Sequence, residues 1–263
     1  MSDVVSTSLT LSTADRLTVR AAIAPLLGEA RITSALTSQL LAGDVVQLVD
    51  GRGDWLRVRG ADDYEGWTHF GYLSACRGTE VTWRISLGCV TRDAQGGERA
   101  LPLGARVAPG VEVLDGEAIA AEERAARFPR ERSAIARSAA TLFAGASYLW
   151  GGVTPWGVDC SGLVQRVFAL HGVPLPRDAW QQATALPQVE EDAAAAHRAA
   201  DLLFFSGRDD RRITHVGMAL GNGQMVHSAL LRGGVHIERL DSDDPYVTQL
   251  RAQCTGVHRV RLG

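Results

Sequence analysis

The residue best suited to covalent chemistry in this 263-residue chain is Cys160. It follows Asp159 and opens a run, CSGLVQRVFAL, whose apolar residues recur at the spacing of one helix face. Glycine and proline residues lie on both sides of the run and limit the helix to it. Cys160 is therefore predicted at a helix N-terminus, where unpaired N–H groups and the helix dipole favour a thiolate over a thiol. These are the properties of a nucleophilic cysteine.

Two of the seven histidines, His215 and His227, have spacings that suit a role beside this thiol. They lie in two apolar segments that the sequence Gly221-Asn222-Gly223 joins as a predicted three-residue hairpin turn. If Leu220 pairs with Gln224, the two imidazoles become diagonal neighbours on the same face of the sheet. A cysteine peptidase needs a base near the thiol and a group that orients the base. The two histidines and Cys160 thus form a candidate Cys–His–His triad.

Less specific interpretations exist for each of these residues. A histidine in a strand is commonly a hydrogen-bonded structural residue, and spacing alone does not separate this role from catalysis for His215 and His227. One cysteine and two histidines could also ligate zinc, although the chain has no CxxC or HxxxH spacing. The structural interpretation is kept for the remaining histidines, at positions 69, 171, 197, 236 and 258. The remaining cysteines, Cys76, Cys89 and Cys254, are predicted to be reduced and to act as small hydrophobic residues.

Helices followed by strands are predicted to position the candidate triad. A helix at about 132–144 precedes the Cys160 helix, and Asp178 is predicted to N-cap a short helix at 179–186. Strands are predicted at 201–206, 213–221, 224–230, 234–240 and 256–262. Helices first and an antiparallel sheet afterwards indicate an α+β domain at residues 131–263.

The first part of the chain is predicted to be a small β-barrel. Residues 15–75 contain short alternating strands separated by Gly-Asp, Asp-Gly and Arg-Gly turns. The segment LLAGDVVQLVDGRGDWLRVRGADDYEGWTHFGYL resembles a bacterial SH3-type domain, which we place at residues 1–79. Residues 80–117 are predicted to form a second, degenerate SH3-like unit, or else an irregular connector. Residues 118–130, rich in Ala, Glu and Arg, are predicted to be a helical linker.

Composition excludes several classes of partner. A formal charge of −3 gives no reason to expect a nucleic acid. No apolar stretch of about 18 residues exists that could span a membrane. The first residues lack the basic and apolar regions of a signal peptide, so the expected compartment is the cytoplasm.

Several separated motifs of residues 131–263 carry a resemblance to one family. The segments YLWGG, DCSGLVQ, RDAWQQ, ADLLFFSG and THVGMALGNGQMVHS resemble, in order and spacing, the NlpC family of papain-like cysteine peptidases. The family usually has Pro-Gly-Asp where this chain has ADLLFFSG, a departure that lies away from the thiol. The resemblance implies that Cys160 is the nucleophile, His215 the base and His227 the orienting residue. It also implies that no metal or cofactor is needed.

An SH3-type domain followed by an NlpC-type domain resembles the cell-wall hydrolases that cut the γ-D-glutamyl–diamino acid bond of murein peptides with a free N-terminal L-Ala. The resemblance implies that Asp159 binds the substrate ammonium with help from Tyr148 and Ser161. It implies that Arg177 shapes the cleft and could meet a substrate carboxylate, and that Tyr64 is the SH3-domain contributor. The alternative role of Asp159 is a helix N-cap, and that of Tyr64 is a barrel-surface aromatic residue.

The expected role is therefore the trimming of murein peptides during recycling in the cytoplasm. Two other functions stay open at this point. One is a secreted wall endopeptidase or amidase. The other is a non-catalytic protein that binds wall peptides.

Overall fold

The structure is a computed structural model that describes residues 16–76, 83–189 and 197–262. The predicted absence of a signal peptide and the predicted boundary at residues 79 and 80 concern positions outside these ranges. The described helices are all too short or too polar to cross a membrane.

Alternating apolar residues build the first sheet. Its strands are β1 (Arg16–Val19), β2 (Ile23–Leu27), β3 (Leu36–Leu41), β4 (Val45–Arg52), β5 (Trp55–Arg59), β6 (Glu65–His69) and β7 (Leu73–Ala75). Within residues 16–76 they pair in the order β3-β2-β6-β5-β4-β1-β7, all antiparallel. In β5 the buried residues are Leu56 and Val58, two positions apart, so one face of the strand meets the core.

A second, smaller sheet follows in the described part of the chain. It consists of β8 (Arg84–Arg92), β9 (Glu98–Leu101), β10 (Arg106–Val107) and β11 (Glu112–Ala120). Strand β8 pairs with each of the other three. Its core residues Leu101 and Val107 pack with Leu41 of the first sheet and Val153 of the next unit, so this sheet is wedged between them. Whether it is a degenerate SH3-like unit stays a prediction.

The predicted helical linker at 118–130 is wrong at its start. Strand β11 continues to Ala120, because residues 118–120 pair with β8 in the ladder. A 3-10 turn (Ala121–Glu123) and the one-turn helix α1 (Arg124–Arg127) then lead to the next unit.

The last unit has the predicted layers of helix and antiparallel sheet. Its helices are α2 (Arg132–Leu142), α3 (Cys160–Leu170), α4 (Ala179–Ala185) and α5 (Pro245–Ala252). Its strands are β12 (Val153–Thr154), β13 (Gly157–Val158), β14 (Asp201–Phe205), β15 (His215–Gly221), β16 (Gln224–Ala229), β17 (Gly234–Arg239) and β18 (Cys254–Arg259). The last five strands form a sheet in the order β17-β16-β15-β14-β18. Apolar residues of α2 and α3, among them Ile135 and Phe168, pack on Val216 and Met218 of β15. The Cys160 helix therefore lies against the strand that carries His215.

The hairpin between β15 and β16 has a tighter turn than predicted. Gly221, not Leu220, pairs with Gln224, and Asn222 and Gly223 form the turn with φ of 52° and 71°. Positive φ at both central residues is the type I′ geometry that Asn-Gly favours. The predicted three-residue turn is therefore wrong, and Leu220 is a bulge. The pairing of Met218 with Val226 beyond the bulge is the predicted register, so the diagonal relation of the two histidines is retained.

Side-chain hydrogen bonds join the first sheet and its loops to the last unit. The Gln39 side chain accepts from the Val153 backbone N–H at 3.0 Å. The Gln165 amide donates to Asp62 at 2.8 Å, and Arg177 Nε donates to Ser38 at 2.9 Å. Gln165 lies on the same helix as Cys160, so the barrel is attached directly to the element that holds the thiol.

Candidate active site

Cys160 is the first residue of α3, as predicted. Asp159 N-caps the helix, and its carboxylate accepts from the Gly162 N–H at 2.7 Å. Glycine is required at 162 because a Cβ there would collide with the Gly152 carbonyl oxygen. The first turn of the helix, Asp-Cys-Ser-Gly, therefore packs closely against the preceding Gly-rich loop.

The Cys160 thiol is buried between its own helix and β15. Burial raises its pKa to about 12, and the Asp159 charge adds to this effect. The backbone N–H groups of Val216 and Ser161 act in the opposite direction but do not outweigh burial. Burial thus opposes the thiolate that the helix-end placement of Cys160 is expected to favour. The contact with Val216 also places the sulfur beside the backbone of the residue after His215.

The two predicted histidines are hydrogen-bonded to each other. His215 Nε2 lies 2.8 Å from His227 Nδ1, and the rings meet edge to face with centroids 5.0 Å apart. This hydrogen bond occupies Nε2 of His215. Nδ1 is therefore the nitrogen of His215 that can accept a proton from the thiol. This is the arrangement of a base held by an orienting group.

Glu238, on the neighbouring strand β17, lies next to this pair of histidines. In the β16–β17 ladder His227 pairs with His236, and Glu238 is its diagonal neighbour. Glu238 Oε1 lies 3.5 Å from His227 Nε2 and is held by Arg232 Nε at 2.6 Å. If His215 Nδ1 is to accept a proton, its Nε2–H donates to His227 Nδ1. The proton of His227 then sits on Nε2, facing Glu238.

Burial keeps both imidazoles neutral. It lowers the pKa of His215 to about 4, with the Asp159 charge acting in the opposite direction. It lowers the pKa of His227 to about 2, and the neighbouring His215 adds to that effect. The resting triad is therefore a neutral thiol and two neutral imidazoles.

Asp159 and Arg177 form a buried ion pair behind the thiol. Arg177 Nη1 and Nη2 donate to the two carboxylate oxygens at 3.1 and 2.6 Å. Arg177 Nη1 also donates to Ser161 at 2.9 Å, and Gly151 N–H donates to Asp159 at 2.9 Å. Only 1% of the surface of Arg177 is exposed.

These contacts bear on two predicted roles. The carboxylate of Asp159 already accepts from Arg177, Gly151, Gly162 and Ser161, which occupies the lone pairs that an ammonium would need. In this structure the carboxylate that Arg177 meets is that of Asp159, and its contact with a substrate carboxylate stays a prediction. Asp159 and Ser161 also line the cleft, so a substrate ammonium at Asp159 stays a prediction in which the ammonium would have to compete with Arg177.

A cleft of about 510 Å³ opens in front of Cys160. Tyr64 and Thr37 of the first sheet line it together with Tyr148, Asp159, Cys160 and Ser161. The structure thus brings the predicted residues Tyr64 and Tyr148 to the thiol from two different units. Burial raises the pKa of both phenols, so they are neutral hydrogen-bonding groups near pH 7.

Asp178 is a cleft residue that sequence reasoning assigned only as the N-cap of α4, a role it has. Its carboxylate accepts from the Tyr64 hydroxyl and the Trp180 side chain, and burial raises its pKa. The RDAW motif held a signal for this role, because Asp178 adjoins the predicted cleft residue Arg177.

Two of the remaining histidines have structural contacts. His171 bonds to Pro129 O and Ser138 Oγ, and His258 bonds to Leu186 O. Across residues 16–76, 83–189 and 197–262, no three His, Cys, Asp or Glu side chains converge to hold a metal ion.

A buried cysteine at a helix N-terminus, facing a His–His pair on an antiparallel sheet, defines a papain-like cysteine peptidase. Residues 145–253 match the NlpC/P60 family, and residues 26–69 match the bacterial dipeptidyl-peptidase SH3 domain. The chain thus contains an NlpC/P60 domain, the domain of a cysteine peptidase family, preceded by a bacterial SH3 domain.

Relatives and solved structures agree with this assignment. The chain is 29% identical over 218 residues to a γ-D-glutamyl-L-lysine dipeptidyl-peptidase of Bacillus subtilis, covering 74% of this chain and 73% of that protein. It is 46% identical over 91 residues to the bifunctional muramidase/DL-endopeptidase CwlT of the same organism, covering 34% of this chain and 27% of CwlT. An NlpC/P60 family protein of Bacillus cereus has the same fold, with a TM-score of 0.76 at 18% identity, over 93% of this chain and 99% of that one.

Proposed function

We propose that this protein hydrolyses the γ-D-glutamyl–diamino acid bond of murein peptides that carry a free N-terminal L-Ala. The observation that carries the proposal is the composition of the cleft. It holds Cys160 and, on the side of the SH3 domain, the paired side chains of Tyr64 and Asp178. The relative named for γ-D-glutamyl-L-lysine supports the same bond type.

The chemistry follows from the neutral resting triad. The Cys160 sulfur attacks the γ-carbonyl carbon of D-Glu while its proton passes to His215 Nδ1. The negative oxygen that forms faces the N–H groups at the N-terminus of α3. His215 then protonates the leaving amine of the diamino acid, which leaves a thioester on Cys160. Water, deprotonated by His215, hydrolyses the thioester and releases L-Ala-γ-D-Glu.

Recognition of the free amine is assigned to Asp178 and Tyr64. Asp178 lines the cleft and accepts no hydrogen bond from any described arginine. Asp159, in contrast, accepts two hydrogen bonds from the guanidinium of Arg177. An ammonium at Asp178 would gain a charge-assisted hydrogen bond in a partly buried site. Tyr148 lines the same cleft and supplies a neutral hydroxyl.

The requirement for a free amine also supports a role in recycling. In intact murein the L-Ala nitrogen is bound in an amide to the glycan strand, so a peptide with a free amine has already been released. Cytoplasmic trimming of such peptides is part of the proposal. Fractionation of cells followed by immunodetection of the protein tests the compartment.

Incubation with L-Ala-γ-D-Glu-diamino acid, followed by mass spectrometry, tests the activity. The expected product is L-Ala-D-Glu, and Cys160→Ala is expected to form none. N-acetylation of the substrate is expected to lower kcat/KM by about tenfold or more, since an uncharged amide cannot replace the ammonium. Equal product from Cys160→Ala would refute the peptidase assignment. Binding without cleavage by the unmodified protein would favour a wall-peptide-binding protein.

A separate experiment tests whether Asp178 binds the free amine of the substrate. Asp178→Asn is expected to raise KM for the free-amine substrate and to leave the slow cleavage of the acetylated substrate unchanged. Asp243→Asn, which changes an exposed carboxylate away from the cleft, is the matched control. If Asp178→Asn acts equally on both substrates, the carboxylate supports the fold and does not bind the amine.

A further inference from the structure

The cleft in front of Cys160 has a negatively charged residue on one side and positively charged residues on the other. Its lining includes Asp178, beside the SH3 domain, and Arg208 and Arg212 on the loop that precedes β15. The carboxylate of Asp159 is neutralised by Arg177. One wall of the cleft is therefore acidic and the other is basic.

The charge on the basic wall is only partly offset within its loop, where Asp210 bonds to Arg208 and also interacts electrostatically with Arg212. Arg208 is paired with Asp210, with Nη2 3.0 Å from Oδ2 and Nε 3.1 Å from Oδ1. In the described residues the Arg212 guanidinium has no hydrogen bond of its own, and only its backbone N–H reaches Asp210, at 3.0 Å. Arg212 is exposed, so its side chain can meet a ligand without breaking an existing contact.

The position of this loop fixes which part of a substrate it faces. Arg212 lies three residues before His215, which is at most about 10 Å along an extended chain. Thr214 and Ile213, between them, also line the cleft. His215 protonates the leaving amine, so groups that adjoin it face the residue on the leaving side. The basic wall is therefore next to the diamino acid.

We propose that Arg212, with the paired Arg208 beside it, binds the side-chain carboxylate of a meso-diaminopimelate residue and makes this enzyme selective for it over L-Lys. The inference rests on the proposed function. A lysine side chain would bring only an ammonium to a guanidinium, and like charges repel. The diaminopimelate side chain brings a carboxylate, the partner that Arg recognises with paired hydrogen bonds.

Two tetrapeptides provide the test, L-Ala-γ-D-Glu-meso-diaminopimelate-D-Ala and L-Ala-γ-D-Glu-L-Lys-D-Ala. The C-terminal D-Ala ensures that the third residue of the lysine peptide has no free carboxylate. The kcat/KM for the diaminopimelate peptide is expected to be about tenfold or more above that for the lysine peptide, the factor for one charge-assisted contact. Arg212→Gln is expected to abolish most of this difference. Arg211→Gln, on the same loop but outside the cleft lining, is the matched control and is expected to preserve it.

A second pair of peptides identifies the carboxylate that is bound. Replacing D-Glu by D-isoglutamine removes the α-carboxylate of the residue that is attacked. The proposal expects the preference for diaminopimelate to persist in this pair. If Arg212→Gln lowers kcat/KM equally for both D-Glu peptides and has no effect on the D-isoglutamine pair, Arg212 binds the α-carboxylate of D-Glu and the proposal is overturned.

Binding to Cys160→Ala separates this inference from the proposed function. Calorimetry with that variant measures the affinity for both tetrapeptides without turnover. Tighter binding of the diaminopimelate peptide supports the inference even if the active protein cuts neither peptide, an outcome that would refute only the proposed activity. Equal affinity, or binding of neither peptide, refutes the inference.

Discussion

His227 Nε2 and Glu238 Oε1 lie 3.5 Å apart on neighbouring strands, and Arg232 holds the same carboxylate. His227 Nε2 is buried and forms no hydrogen bond among the described residues, so the nearby Glu238 carboxylate is expected to favour the tautomer that carries a proton on Nε2. The tautomer of His227 in turn decides which nitrogen of His215 is free to take the thiol proton. Glu238 is thus a positioning residue two steps away from the sulfur.

We expect Glu238→Ala to lower kcat roughly tenfold with little change in KM, because the base is misoriented while the cleft is intact. Glu238→Gln should retain most of the activity, since its amide oxygen can still accept from Nε2. Steady-state kinetics on the tripeptide substrate measures both. Glu98→Ala, which breaks an exposed pair with Arg92, is the control. A fully active Glu238→Ala enzyme would exclude the positioning role.

Arg177→Lys is expected to lower the free energy of unfolding by about 3 kcal/mol. A lysine cannot reproduce the two-pronged contact with Asp159 or reach Ser38 at the same time, which leaves a buried carboxylate poorly paired. Urea denaturation followed by circular dichroism measures the change. Arg92→Lys, in an exposed ion pair, should cost less than about 1 kcal/mol. Equal losses in the two variants would contradict the stabilising role of the buried network.

The burial of His227 predicts an acid-sensitive fold. Its pKa is about 2 in the folded protein and about 6.5 in the unfolded chain, so the unfolded state binds the extra proton between these values. Stability therefore falls as pH drops below 6.5, and the contribution of His227 between pH 7 and pH 5 is about 2 kcal/mol. Urea titrations of His227→Gln at both pH values should show a smaller loss than the unmodified protein. An equal loss in both proteins would show that His227 is not the group responsible.

The protonated thiol predicts slow alkylation of Cys160. With its pKa raised to about 12, the reaction with iodoacetamide should rise steadily from pH 7 to pH 10 without reaching a plateau. Mass spectrometry of the peptide that contains Cys160 measures the rate, and glutathione under the same conditions provides the reference. A rate that is already maximal at pH 6 would indicate a resting thiolate–imidazolium pair and contradict the neutral triad.

The sequence predicted those parts of the site that depend on local period and strand register. The helix at Cys160 follows from apolar spacing, and the His215–His227 contact follows from counting across one hairpin. The same counting across the next hairpin would have reached Glu238. The tighter turn did not disturb the prediction, because the bulge at Leu220 lies at the turn end of the ladder and the pairing beyond it is unchanged.

Tertiary burial accounts for most of what the sequence could not predict. The protonation state of Cys160 depends on how closely β15 covers the thiol. The pairing of Asp159 with Arg177 joins residues that local patterns treat separately, so both were given to the substrate. Helix α5 was missed although Asp244 caps it and Pro245 occupies its first turn, because only Val247 and Leu250 in its eight residues are buried.

The hydrogen bond between Arg177 Nε and Ser38 Oγ has a consequence for protein engineering. The Arg177 guanidinium bonds to Asp159 and Ser161, which flank the nucleophile, and also to Ser38 of the SH3 domain. Neither domain can therefore be exchanged without affecting this contact. A chimera that joins this catalytic domain to a barrel without a hydroxyl at position 38 would leave a buried donor unsatisfied next to the catalytic helix. Any exchange of the barrel would therefore have to carry Ser38 with it.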